Sequence, residues 1–313
     1  MTDTVRPRAA RLGSKASISV VLPQPEKPAT PSTLGISPPL WRQARAGHLY
    51  FGHCPHPFYR MTEYFYLAAV AFIGGVAGAT VGGAGLVQLP ALLNAFPGSP
   101  LPFILGTNKL IFALSGANNV RRYLQTTRIE WPLLLPALVF GVAAAVFGAS
   151  LIGKLDEAWF KPVLLVVLVL IAGYILTHKQ LGETESAPAV PDRAAPVAGA
   201  AGGALFGLYQ GMFGPAAISF VSLALVRARG MAFARAVGNA QLFVNACNAA
   251  AMLWFLAHGQ CLYEVALLMG ACSVAGSFVG LKLAEKGDSH LIRLLFIGVL
   301  VVEIARYGWS ILA

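Results

Sequence analysis

Charge is scarce in this sequence. Only 12% of its 313 residues are Asp, Glu, Lys or Arg, and just 13 are acidic, where an ordinary soluble domain has about a quarter of its residues charged. That excludes a soluble enzyme or binding module, whose surface needs far more ionised groups. The motifs of hydrolytic and nucleotide chemistry are missing too. There is no HExxH, no Walker-type loop, no Ser/Lys or Ser/His pairing in a workable setting and no intramembrane aspartate pair, so nothing builds a catalytic centre. Cysteine is sparse: Cys54, Cys247, Cys261 and Cys272 lack metal-ligand spacing, and three of them sit in or beside apolar segments as small packing residues. The HCPH run at His53 to His56 could touch a metal, but it stands alone in a polar tail. Neither a metal nor an organic cofactor is expected.

What is plentiful is apolar. Hydrophobic residues make up 57% of the chain, glycine occurs 33 times, and the mean hydropathy is +0.67. Glycine is commoner in transmembrane helices than in soluble ones, so the composition reads as an all-α, polytopic membrane protein with the lipid bilayer as its partner. The net charge of +10 does not signal nucleic acid: the stretch 1–60 contributes eight basic and two acidic groups, and most of the rest lie in short connections. That is the pattern of loops at an anionic membrane face.

Residues 1–60 differ from the remainder, with nine prolines and no apolar run longer than a few residues. They carry no secretory h-region. An organellar transit peptide would need a better amphipathic helix, and MTEYFYLAAVAFIGG from Met61 reads as a natural start for a membrane protein. In either case the tail is expected to be disordered and dispensable.

From Tyr64 onward, apolar runs predict eight membrane segments, near 64–96, 101–120, 131–153, 160–177, 197–225, 235–257, 262–283 and 290–312. The first and fifth are too long and too rich in glycine for one helix, so VAGATVGGAGLVQLP and LYQGMFGPAAISF are expected to break in mid-membrane. Such backbone is tolerated only when buried in protein or lining a cavity. The second half repeats the first at a constant offset. LGTNKLI (105–111) aligns with VGNAQLF (237–243), placing Lys109 on Gln241, and the same offset places Gly75 on Gly207, Gly82 on Gly214, Gly148 on Gly280 and Lys154 on Lys286. The expected organisation is a tail (1–60), a first repeat (64–177), a linker (178–196) and a second repeat (197–312), each repeat having about four segments with the first one broken. Basic residues cluster in the connection after 101–120 (Arg121, Arg122, Arg128) but after 197–225 in the second half (Arg227, Arg229, Arg235). Positive loops stay cytoplasmic. Equivalent loops would then face opposite sides, as in an inverted repeat, provided segment 5 makes no net crossing.

The polar residues inside these segments mark the candidate site. Lys109 lies near the middle of 101–120, where a lysine costs about 2.5–3.5 kcal/mol to insert. Two readings stay open: it pairs with a structural carbonyl or the boundary lies elsewhere, or it faces an internal cavity and attracts an anion. Gln241, Asn245 and Asn248 form one stripe at i, i+4 and i+7, either as helix glue or as the lining of a pathway. Helices restarting after Gly82-Gly83 and Gly214-Pro215 would present free backbone N–H groups to an anion, with Pro215 expected in the first turn.

VGGAGLVQLPALL, the GTNKL that follows and GLYQGMFGPAAISF resemble the TauE/SafE family of membrane transporters, and the similarity runs in order through 64–310. The resemblance implies a multi-pass carrier of the bacterial plasma membrane, with better-known relatives linked to export of sulfite or organosulfur anions. One departure is informative. The similar branch often has an acidic residue in each broken segment, where this chain has Gly78 and Gln210, which makes proton coupling there doubtful and leaves Lys109 less neutralised. The resulting expectation is a secondary transporter exporting a small anion by alternating access. Lys109 would attract the charge, Thr107, Asn108, Gln210, Gln241 and Asn245 would replace water, and Gly82, Gly83 and Gly214 would present backbone. The alternative is a non-transporting membrane scaffold or assembly subunit. The many small residues would suit a homodimer as well as packing within one chain.

Overall fold

Several helices in this chain begin within a residue or two of a proline. The computed structural model describes residues 57–80, 83–155 and 187–285, with isolated positions at 185 and within 160–169 and 301–309. Among them there is no strand. The described residues form, in order, α1 Pro57–Thr80, α2 Ala84–Ala95, α3 Leu101–Thr126, α4 Trp131–Ile152, α5 Ala195–Met212, α6 Ala217–Arg229, α7 Phe233–Ala257 and α8 Tyr263–Glu285. Pro102, Pro132 and Pro196 occupy the first turns of α3, α4 and α5, where the missing N–H has no intrahelical acceptor to lose. Gly230 ends α6 in the left-handed region at φ 60°, the usual helix stop.

Both long glycine-rich segments are interrupted. The first is divided into α1 and α2, and the second into α5 and α6. The second break contains Gly214 at φ 94° and Ala216 at φ 56°. An alanine there costs about 1–2 kcal/mol; the Tyr209 hydroxyl, donating to the Pro215 carbonyl at 2.6 Å, helps hold the turn. Pro215 is not in the first helical turn as expected: Ala216 caps α6 and the proline precedes it. Gly82, most of the segments at 160–177 and 290–312, Lys286 and the HCPH run lie outside the described residues.

Among the described residues, four helical stretches are long and apolar enough to cross a membrane: Met61–Ala79, Trp131–Ile152, Phe233–Ala257 and Tyr263–Leu283. Leu135, Val139, Phe140 and Phe147 on α4 and Leu267, Phe278 and Val279 on α8 are exposed, a surface matched to hydrocarbon rather than water.

Glycine sets the helix pairing. Gly199, Gly203, Gly207 and Gly211 recur every fourth residue along α5, and a Cβ on each would fall 2.1–2.4 Å from the carbonyl oxygens of Leu133, Ala137, Gly141 and Ala145 on α4. Gly276 and Gly280 of α8 meet the Phe72 and Val76 carbonyls of α1 in the same way, at 2.0 and 2.4 Å from an added Cβ. Backbones approach this closely only where side chains are absent.

One end of the bundle is tied by charge. Glu130, between α3 and α4, accepts from Arg229 at 2.8 Å and Arg235 at 2.7 Å, and Arg229 also reaches Asp192 at 2.6 Å. The end of α6 therefore returns to the start of α5. At the opposite end of α3, the Leu262 N–H between α7 and α8 donates to Thr107 Oγ1 at 2.9 Å. Glu130→Gln is expected to lower stability by about 1–2 kcal/mol, since it leaves the nearly buried Arg229 guanidinium with the Val190 carbonyl at 2.6 Å and the exposed Asp192 as its only carboxylate. Thermal unfolding in detergent measures this; an unchanged midpoint would make the cluster an ordinary surface pair.

Candidate functional site

The two interruptions meet beside α3. Gly85, at the start of α2, would place a Cβ 3.3 Å from Pro215 Cα, and the Lys109 ammonium lies 2.9 Å from where a Cβ on Gly214 would stand. Lys109 is 1% exposed and is among the largest fully buried side chains. Its Nζ donates to the main-chain carbonyl of Gln210, near the end of α5. That carbonyl belongs to the negative end of a helix, where a cation is favoured. So the carbonyl partner anticipated as one of two readings is present.

A ring of polar contacts closes around this pair. Gln210 Nε2 donates to Asn248 Oδ1 at 3.3 Å, and Asn248 Nδ2 donates to the Lys109 carbonyl at 2.9 Å. Three helices, α3, α5 and α7, are thus pinned through three residues. Gln210 Oε1 is buried without a protein partner and lies 3.5 Å from the same absent Cβ of Gly214. A lysine charge and an unmatched amide oxygen therefore border one glycine.

Across the site a second contact mirrors the first. Gln241 Nε2 donates to the Gly78 carbonyl at 2.9 Å. The offset that sets Lys109 on Gln241 also sets Gly78 on Gln210. In both contacts a side chain from the long helix that follows one broken segment, α3 or α7, reaches the carbonyl near the end of the helix before the other break. Gln241 is itself held by Asn245, whose Nδ2 donates to its side-chain oxygen at 3.0 Å and its carbonyl at 2.8 Å.

Not all the expected ligands gather here. Thr107 is buried, donates to Phe103 at 2.7 Å and accepts from Leu262, so it fastens the α7–α8 connection. Asn108 is buried with its Oδ1 unpartnered. Gly83 is buried at the start of α2, and neither it nor Ala216 supplies a side-chain cap. The N–H groups of both restarting helices are therefore not taken by a capping side chain. Asn248 and Gly78 were not among the expected ligands. Asn248 belonged to the α7 stripe, whereas Gly78 contributes only a carbonyl, which sequence does not reveal. No group of three or more potential metal ligands occurs among the described residues.

This junction of two broken helices and a buried lysine can be set beside known proteins. A family profile described as "Sulfite exporter TauE/SafE" matches residues 67–307. The chain belongs to the TauE/SafE family. It is 31% identical over 228 residues to a "Probable membrane transporter protein" of Haemophilus influenzae, covering 72% of this chain and 87% of that one. It is 29% identical over 240 residues to one from Sinorhizobium sp, covering 77% and 89%. Another from Escherichia coli strain K12 is 29% identical over 240 residues, covering 76% and 86%. No solved structure matches the chain significantly. Membership in TauE/SafE makes this a membrane transporter, in keeping with the four apolar spans.

Proposed function

We propose that this TauE/SafE protein exports a small anion, sulfite or an organosulfonate, across the bacterial plasma membrane by alternating access of two inverted repeats. The observation that carries the reading is the buried Lys109 ammonium at the junction of both breaks. Maintaining a cation at that depth is costly, and one helix-end carbonyl offsets only part of its charge. An anion arriving there would gain a charge-assisted partner and first-turn N–H groups of the helix restarting at Ala84, whereas in α6 the Ala217 N–H already donates to the Gly214 carbonyl at 3.2 Å.

The repeat is supported by boundaries the alignment did not use. Moved by the same offset, α3 and α4 would fall at 233–258 and 263–284, against Phe233–Ala257 for α7 and Tyr263–Glu285 for α8. The paired contacts Lys109 to Gln210 and Gln241 to Gly78 obey it as well. Inversion is supported by loop positions: the α3–α4 connection meets the end of α6, while the α7–α8 connection meets the start of α3. In this reading α5 and α6 form a re-entrant pair, and transport exchanges one cross-repeat contact for the other as the two faces open in turn. Loss of the acidic positions at Gly78 and Gln210 removes the obvious proton carriers, so flux is expected not to be driven by protonation there.

Counterflow of labelled sulfite in proteoliposomes tests the proposal, with sulfate, a sulfonate and a monovalent cation as competitors. Saturable exchange competed by the sulfonate and ignored by the cation is expected. A non-transporting scaffold is the second reading, favoured by the partners that Gln241, Asn245 and Asn248 already have. It predicts no saturable exchange by the unsubstituted protein, and that Gln241→Leu lowers the amount of folded protein. The transport reading expects flux per molecule to fall about tenfold, the value of one buried hydrogen bond of about 1.4 kcal/mol.

A further inference from the structure

Gln210 brings an unmatched oxygen to the Lys109 junction, and the bonds around it fix which way its amide lies. The main-chain carbonyl of Lys109 can only accept, so Asn248 must turn its Nδ2 toward it, at 2.9 Å. Asn248 Oδ1 is then the atom left for Gln210, and it takes the Gln210 Nε2 donor at 3.3 Å. Exchanging oxygen and nitrogen in either amide alone would set acceptor against acceptor. Gln210 Oε1 is therefore the atom left over, 3.5 Å from where a Cβ on Gly214 would stand.

That oxygen is buried without a protein partner, on a residue only 2% exposed. The amide oxygens around it differ. Gln241 Oε1 already accepts from Asn245 at 3.0 Å, and Asn248 Oδ1 from Gln210. Asn245 Oδ1 is unmatched too, but it lies against Gly116, 1.7 Å from where a Cβ there would stand. At Gly214 the absent Cβ would also be 2.9 Å from the Lys109 ammonium. The space this glycine leaves is bordered by one positive charge and one hydrogen-bond acceptor. An anion that only accepts hydrogen bonds satisfies the ammonium but sets its own oxygens against Gln210 Oε1. A buried acceptor left in that state is costly, and sites built on such groups reject analogues that lack the matching donor.

We infer that the junction selects a monoanion carrying its own N–H or O–H donor, with its charge at Lys109 and its donor on Gln210 Oε1. This specificity rests on the anion-transport reading above. Singly protonated sulfite and amino- or hydroxy-bearing sulfonates meet both requirements; the sulfite dianion and plain alkyl sulfonates do not. The equivalent position in the first half is Gly78, which has no side chain, so the acceptor stands on one side of the site alone.

The test offers the purified full chain in detergent two monoanions of nearly the same shape: sulfamate, with an amino group, and methanesulfonate, with a methyl in its place. The rise of the unfolding midpoint with concentration reads binding to the folded protein and does not require transport. Sulfamate is expected to give the same rise at a roughly ten- to hundredfold lower concentration. Gln210→Met should bring the two anions together by weakening sulfamate alone, whereas a merely structural role would weaken both. Asn248→Leu keeps Gln210 but frees its amide to turn, and should also shrink the difference. Equal stabilisation by both anions, or a preference that survives Gln210→Met, overturns the inference and leaves the transport reading standing. Stabilisation by neither overturns it as well; saturable sulfite counterflow in proteoliposomes would then still uphold an anion carrier, and its absence would remove both.

Discussion

Proteoliposomes carrying Lys109→Gln are expected to lose sulfite flux by about one to two orders of magnitude, the loss of one charge-assisted contact of about 1.5–3 kcal/mol. The amount of folded protein should scarcely change. The fold itself supplies the reason: at the equivalent position of the second half, Gln241 already reaches the Gly78 carbonyl at 2.9 Å. A glutamine at 109 can make the corresponding contact with Gln210, keeping the end of α5 satisfied while removing only the charge. Lys109→Met should behave differently, leaving that buried carbonyl bare at a cost of about 1–3 kcal/mol. Flux retained in the glutamine variant would make Lys109 a helix-end cap and nothing more. Flux lost in both, with only the methionine variant unstable, separates the lysine's electrostatic role from its structural one.

Gly207→Val is expected to cost about 3 kcal/mol or more, the upper end of overpacking penalties. A Cβ at 207 would sit 2.2 Å from the Gly141 carbonyl oxygen and 2.6 Å from its Cα. The obstacle is backbone, which cannot swing aside, so α5 would have to separate from α4 along its length. Gly202→Ala is the control, because nothing lies within 4 Å of its added carbon; there the better helix propensity of alanine should leave stability equal or slightly higher. Unfolding midpoints in detergent read both. A stable Gly207→Val would mean that α4 and α5 are not packed through their glycines.

Much of this was legible in the sequence. The scarcity of charge and the abundance of glycine dictated a membrane-embedded helical protein, because nothing else hides so much apolar surface. VAGATVGGAGLVQLP and LYQGMFGPAAISF announced their interruptions, since glycine clusters and a proline cannot hold one helix together. Lys109 was conspicuous because a cation among leucines and isoleucines needs a reason. The sequence around Thr107 shows only its neighbour Lys109; that its hydroxyl fastens the α7–α8 connection depends on Leu262, far off in the sequence.

What only the tertiary structure decided is where backbone atoms go. Gly78 and Gln210 matter through carbonyl oxygens, which every residue has and no pattern of side chains marks. Arg229 and Asp192 bring the end of α6 back to the start of α5, a return that hydropathy cannot distinguish from a crossing. Side-chain chemistry is written residue by residue and can be read there. The meeting of two helix ends around one ammonium depends on chain reversals and on the close approach that glycine allows, and these exist only once the helices have packed.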